Sequence, residues 1–503
     1  MNTLTNSQQV KYGAVLSYAG IIVYILIGLL YTPWMIQVIG KEDYGLYTLA
    51  YSIISLFVFD FGISAAIQRF VAKYLAENSQ EKVNNCISLV YKLYIYIDIA
   101  VLLILSIIFF LIPTIYTELS AEQLDRLKVV YIIAGLFSVI SFPVIPLNGI
   151  LSAYEKFVQL KTCDLISKVL TVIINIICLS LGGGLYELVL TNVLVGLLII
   201  GVKFCIVYRE TSVQISFRYF NGQELKALLS FSGWTTVVAL CQRTIFNIAP
   251  SILGMFAGAS VIAVFGIAVN LEAYTFTFAY ALNGLFLPKI SRILKENGNV
   301  LPLMIRVGRI QILSMGLILI GFIVVGKDFI YCWLGPGYEE AYICTLLFII
   351  PAFMLLPADI ADQTLIASGN VKYRAIVYMI MAIVNVILSY IMTKFWGCVG
   401  LASSIFIAYM VRNMALYYVY YNTLNLNIFK FFKDSFGKMS LGLLASALSS
   451  FSACYLFSTD GWICVVSKVA IVTICYITCM STLAINTDEK ILIKSIVKKL
   501  WQR

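Results

Sequence analysis

The sequence predicts an all-α protein that crosses a membrane about fourteen times, built as two six-helix lobes followed by two further helices. Three observations predict this. First, 61% of the 503 residues are hydrophobic and 12% charged, with mean hydropathy +0.94, whereas a soluble domain carries about 25% charge. Second, apolar runs long enough to span a bilayer recur from end to end. Third, Lys and Arg collect in alternate loops, the asymmetry that orients membrane proteins.

Taken in order, the spans fall near 13–38, 44–70, 86–112, 127–151, 157–181, 186–208, 228–256, 260–286, 303–325, 338–366, 373–395, 398–421, 435–457 and 462–485. One set of loops holds Arg69, Lys73, Lys82, Lys156, Lys161, Arg209, Arg218, Lys226, Lys289, Arg292, Lys295, Lys372, Arg374, Lys430 and Lys433, and the tail adds Lys490, Lys494, Lys498 and Lys499. The opposite loops are short and richer in acid, with Glu42, Asp43, Glu118, Glu122, Asp125 and Asp328. Both termini are therefore expected in the cytoplasm. The stretch 1–13 reads as a short tail before the first span, with no cleavage-site pattern.

An internal echo divides the chain. Pro33, Gly40, Tyr44-Gly45, Gly62, Lys73 and Glu77-Asn78 recur as Pro250, Gly258, Phe265-Gly266, Gly284, Lys295 and Glu296-Asn297, an offset of about 220 residues. Each copy holds six spans, an even number, so the copies keep one orientation about a pseudo-two-fold axis along the membrane normal. The expected division is a first lobe 1–226, a second lobe 227–425 and an appended segment 426–503.

Several classes are excluded. The net charge of +10 follows from the loop bias, and the basic residues form no patch that would suit nucleic acid. The twelve Cys lie mostly inside apolar runs without a Cys-x-x-Cys pair and read as small buried hydrophobes. The chain contains no His, which removes imidazole relays, His metal sites and Ser-His or Cys-His nucleophile pairs. No metal or cofactor is expected. Enzymes such as a polysaccharide polymerase or membrane glycosyltransferase need a long external loop for their catalytic groups, and these loops are short, so a non-enzyme is expected.

The informative residues are charges inside spans. Read as one tilted helix, 44–70 places Asp60 near mid-membrane, where a lone carboxylate costs roughly 2.5–3.5 kcal/mol. Two readings stand: a structural Asp bonded near Ser64, or a group facing a functional cavity. Asp98, Asp164, Lys168, Arg243, Glu272, Asp359, Asp362 and Arg412 also lie within spans. Asp164 and Lys168, four apart, suit either a local ion pair or a site. Arg243 and Glu272 suit either mutual pairing or cargo binding. Asp359 and Asp362 read as interfacial and solvated, and Tyr417, Tyr418, Tyr420 and Tyr421 as an aromatic belt. Cavity-facing Arg and Lys suit an anionic cargo, above all a phosphate. Buried carboxylates suit coupling to a proton or sodium gradient. The candidates are Arg243, Arg412, Lys168 and Arg69 for cargo, and Asp60, Asp98 and Glu272 for an ion.

The run Ile39-Gly40, Tyr44-Gly45-Leu46-Tyr47, Asp60-Phe61-Gly62-Ile63 and Arg69 resembles the amino-terminal signature of Wzx-type polysaccharide flippases, in the multidrug/oligosaccharidyl-lipid/polysaccharide (MOP) exporter superfamily. The resemblance spans the chain and is sharp over 40–73. It implies alternating access of two lobes and carriage of oligosaccharide repeat units on undecaprenyl pyrophosphate, for O-antigen, capsule or another surface polysaccharide, from the inner to the outer leaflet of the bacterial cytoplasmic membrane. It implies membrane lipids, H+ or Na+, and polymerase and chain-length proteins as partners. By motif it carries over Asp60, Gly62 and Arg69 only; Arg243, Arg412 and Lys168 are candidates by position. A lipid II flippase shares the expected architecture. A multidrug extruder of the same superfamily usually has twelve spans and a carboxylate in the first, and 15–36 has none.

Overall fold

A computed structural model describes residues 6–280, 286–296, 298–455, 461–486 and 489. Gly284 and Asn297 of the repeat and the basic residues of 490–503 lie outside them. The described residues form helices and no strand. In chain order these include α1 (Asn6–Ile39), α2 (Lys41–Phe57), α3 (Ile63–Ala76), α4 (Gln80–Ile115), α5 (Ala121–Ser141), α6 (Pro146–Ala153), α7 (Phe157–Ser180), α8 (Leu185–Glu210), α9 (Gly222–Asn247), α10 (Ala249–Phe256) and α11 (Ala259–Tyr280). They continue with α12 (Leu287–Lys295), α13 (Leu301–Leu334), α14 (Glu339–Leu355), α15 (Asp359–Ala367), α16 (Val371–Leu424), α17 (Ile428–Phe432), α18 (Lys438–Tyr455) and α19 (Gly461–Leu483).

Among the described residues, eleven helical stretches are long and apolar enough to cross a membrane. Their outer faces expose large apolar side chains, such as Leu30, Ile107, Phe110 and Leu194. So much exposed apolar surface requires lipid to cover it, and the chain is a multi-pass membrane protein.

Several expected spans differ in their bounds. The run 44–70 is two helices: α2 stops at Phe57, Val58 is extended, and α3 starts after Gly62, whose φ of 70° is left-handed. Gly adopts that conformation without a Cβ penalty. The expected spans 373–395 and 398–421 run on as the 54-residue α16, interrupted only at non-helical Trp396 and Gly397. The expected span 435–457 appears as α18, 18 residues long.

The chain divides into two compact units, Met1–Asn270 with Tyr378–Ile405, and Leu271–Val377 with Phe406–Arg503. In the first, α3, α4 and α6 enclose a core of Ile67, Val83, Ile87, Tyr94, Phe142 and Leu151. The repeat-related helices α2 and α11 meet here. A Cβ on Gly45 would stand 1.9 Å from the carbonyl oxygen of Ala259, and one on Gly266 would stand 3.1 Å from Thr48. Small residues let backbones approach where no hydrophobic force drives helices together in lipid.

In the second unit α13, α18 and α19 pack around Ile312, Met439, Val472, Tyr476 and Met480. A buried ion pair pins this bundle. Arg309 Nη2 lies 2.9 Å from Glu489 and also donates to the Ala484 carbonyl, while Nη1 donates to the Asp434 carbonyl. Burial alone would raise the Glu489 carboxyl. The Arg309 fork and the Asn486 N–H outweigh it and hold that carboxyl below its usual range.

Candidate functional site

The break between α2 and α3 organises the first unit's polar site. A helix end leaves carbonyls or N–H groups without intrahelical partners, and in a membrane each needs another. Asp60 serves the start of α3: its Oδ1 accepts from the Ser64 N–H at 3.1 Å and from the Tyr94 hydroxyl at 3.0 Å. Tyr94 is fully buried on α4. Arg243, from α9, serves the end of α2: its Nη1 donates to the Ser55 carbonyl at 3.0 Å, and the guanidinium lies 5.1 Å from the Phe59 ring centre. The Thr236 hydroxyl, also from α9, donates to the Phe61 carbonyl within the break. A carboxylate at a helix start and a cation at a helix end both match the helix dipole. Asp60 and Arg243 also interact electrostatically, so the charges compensate each other. Tyr94 and Thr236 were not legible as partners, because they come from distant spans.

The other first-unit candidates lie apart from this pair. Asp98 sits one turn beyond Tyr94 on α4, and its buried Oδ1 has no hydrogen-bond partner among the described residues. Lys168 is exposed on α7, with its ammonium 5.0 Å from the Tyr24 ring centre. Asp164 does not take Lys168 as its partner: Lys203 from α8 lies at 2.9 Å and Lys161 at 3.6 Å. Arg69 is exposed on α3.

In the second unit Arg412 is buried on α16, donates to Asn413 Oδ1, and stacks 4.1 Å from the Tyr409 ring centre. Glu272, also buried, is electrostatically coupled to it. Glu272 thus has Arg412 as a charge neighbour, and Arg243 has Asp60. Asp359 and Asp362 are buried, not solvated: Asp362 lies 3.0 Å from Arg374 Nε, and Gln363 donates to Asp359. The α14–α15 turn folds them inward, where Arg374 supplies the compensating charge. The tyrosine belt is half a belt. Tyr418 and Tyr421 are exposed, while Tyr417 donates to the Met354 carbonyl and Tyr420 is buried against Asp362.

No group of metal-ligating side chains occurs among the described residues. Among the described residues Arg243 Nη1 holds the Ser55 carbonyl, and a guanidinium has five N–H donors in all.

A family model described as polysaccharide biosynthesis protein matches residues 10–294. The chain belongs to that family. No curated protein matches it. Among solved structures it resembles the lipid II flippase MurJ in an inward closed conformation, with 16% identity and TM-score 0.72 over 95% of this chain and 98% of that one. It also resembles an inward-facing multidrug resistance MATE family transporter of the MOP superfamily, with 14% identity and TM-score 0.69 over 82% of this chain and 98% of that one. A MOP superfamily transporter from Pyrococcus furiosus aligns at 14% identity and TM-score 0.55 over 84% of this chain and 96% of that one. At these identities the likeness is one of fold.

Proposed function

We propose that this member of the polysaccharide biosynthesis family is a flippase, not an enzyme. Its cargo is an oligosaccharide repeat unit on undecaprenyl pyrophosphate, moved to the outer leaflet of the bacterial cytoplasmic membrane with both termini inside. Alternating access of the lobes 1–226 and 227–425, with 426–503 appended, would carry it. The observation that carries this reading is Arg243. A guanidinium placed at a broken helix, with five N–H donors of which one holds Ser55 among the described residues, suits a bidentate phosphate contact, and broken helices form the ion and substrate sites of many transporters. Arg412 is the second-unit candidate; Lys168 and Arg69 are peripheral ones. For coupling to H+ or Na+, Asp98 has a carboxylate oxygen without a hydrogen-bond partner among the described residues, while Asp60 is already committed to Ser64 and Tyr94 and Glu272 has Arg412 as a charge neighbour.

The test is complementation of surface polysaccharide at equal protein level. Arg243→Ala should abolish it, and Arg243→Lys should restore part, since the charge remains but the fork does not. Full complementation by both Arg243→Ala and Arg412→Ala would overturn the reading. The fold likeness to MurJ across 95% of the chain supports a second reading, lipid II as cargo. Loss of cell-wall synthesis, with surface polysaccharide intact, on depletion of the protein would select it.

A further inference from the structure

A cavity of about 300 Å³ in the first unit is bounded by α2, the α9–α10 junction and α11. Its size is at the lower end for small-molecule sites. No charged side chain lines it among the described residues. One wall is a tyrosine face: Tyr44, Tyr47 and Tyr51 stand at i, i+3 and i+7 on α2, one helical stripe. Tyr47 and Tyr51 have ring centres 4.5 Å apart, and Tyr44 and Tyr47 6.4 Å apart. The facing wall supplies two amides. Asn270 donates to the Tyr44 hydroxyl at 2.9 Å, and Asn247 lines the cavity one turn from Arg243 on α9. The α2 hydroxyls of Thr48, Ser52 and Ser55 donate to α2 carbonyls, and a hydroxyl that donates can still accept through its oxygen.

We infer that this cavity is a subsite for a neutral sugar ring, the one bonded directly to the pyrophosphate. The inference rests on the proposed cargo and deepens it. Aromatic faces cover the apolar C–H face of a sugar, and amides and hydroxyl oxygens match its O–H groups. A lipid tail is a poor fit, because it would leave these polar groups unmatched. Position supports the same assignment. Ser55 lines the cavity and its carbonyl is held by Arg243, and Asn247 lies one turn from Arg243 on α9, so the guanidinium stands beside the cavity. The Tyr44-Gly45-Leu46-Tyr47 motif acquires a role: Gly45 lets α2 approach Ala259, and the tyrosines beside it form the wall.

The test uses the full chain in lipid nanodiscs and four probes. These are undecaprenyl pyrophosphate alone and the same lipid carrying a single hexose, N-acetylhexosamine or 6-deoxyhexose. At least one sugar-bearing probe should bind about tenfold tighter than the bare lipid, the worth of one or two hydrogen bonds with stacking. Asn247→Ala and Tyr51→Leu should erase that gain while binding the bare lipid unchanged, which also shows that they fold. Asn247→Ser and Tyr51→Phe, milder changes, should reduce the gain in part. Wild-type protein that binds the bare lipid with no gain from any sugar overturns the subsite and leaves the proposed function standing. Variants that keep the full gain do the same. Wild-type protein that binds none of the four probes overturns the proposed cargo, and the subsite with it.

Discussion

Asp60 presents the sharpest choice between a structural and a transport role. Its Oδ1 accepts two hydrogen bonds, from the Ser64 N–H at 3.1 Å and the Tyr94 hydroxyl at 3.0 Å. Hydrogen bonds to a charged group contribute about 1.5–3 kcal/mol and neutral ones about 0.5–1.5. Asp60→Asn keeps the acceptor oxygen and removes the charge, so about 1 kcal/mol is lost per bond, or about 2 in all. Asp60→Ala removes the acceptor. It leaves the fully buried Tyr94 hydroxyl unmatched, at about 1–3 kcal/mol, and uncaps α3, at about 1 more. Its loss should therefore exceed that of Asp60→Asn. Stability is read from unfolding in mixed micelles titrated with SDS, and transport from proteoliposomes under an imposed ion gradient. Tyr94→Phe should weaken the effect of Asp60→Asn, with a coupling of about 1 kcal/mol in the double-mutant cycle. Asp60→Ala as stable as wild type would refute the structural account. Asp60→Asn that is stable yet no longer driven by the gradient would assign Asp60 to coupling instead.

Gly45→Ala should lower the yield of folded protein, since its Cβ would meet the Ala259 carbonyl at 1.9 Å; overpacking costs about 1–3 kcal/mol. Gly20→Ala, with nothing within 4 Å, should be neutral or stabilising, and equal yields of the two variants would refute the close approach of α2 and α11. Glu489→Gln breaks a buried pair and should destabilise the second unit by about 3–5 kcal/mol at neutral pH. The folded Glu489 carboxyl lies below its ordinary 4.5, so its contribution is present above pH 4.5 and is lost as pH falls through the folded value. The stability gap between wild type and Glu489→Gln should narrow in that acid range, and a gap independent of pH would refute the pairing.

The class and the approximate spans were legible in the sequence. Hydropathy is a property of composition along the chain, and lipid makes the helix nearly the only way to satisfy a spanning backbone. The Asp60-Phe61-Gly62 run even carried the signal for the break, an Asp and a Gly of the kind that terminate helices, although the run's length reads as one span. Tertiary structure alone decided the partners. Sequence spacing reveals neighbours on one helix, such as Asp164 with Lys161 or Lys168, but the nearest ammonium to Asp164 is that of Lys203 on another helix. Asp362 finds Arg374 in the same way, and Asp60 finds Tyr94. The tyrosines at 44, 47 and 51 could be read as a stripe, yet only the packing of α2 against α9, α10 and α11 turns that stripe into a cavity wall. A charge or ring in a span has a defined depth from the sequence. Which side it faces depends on helix rotation and on which helices pack beside it.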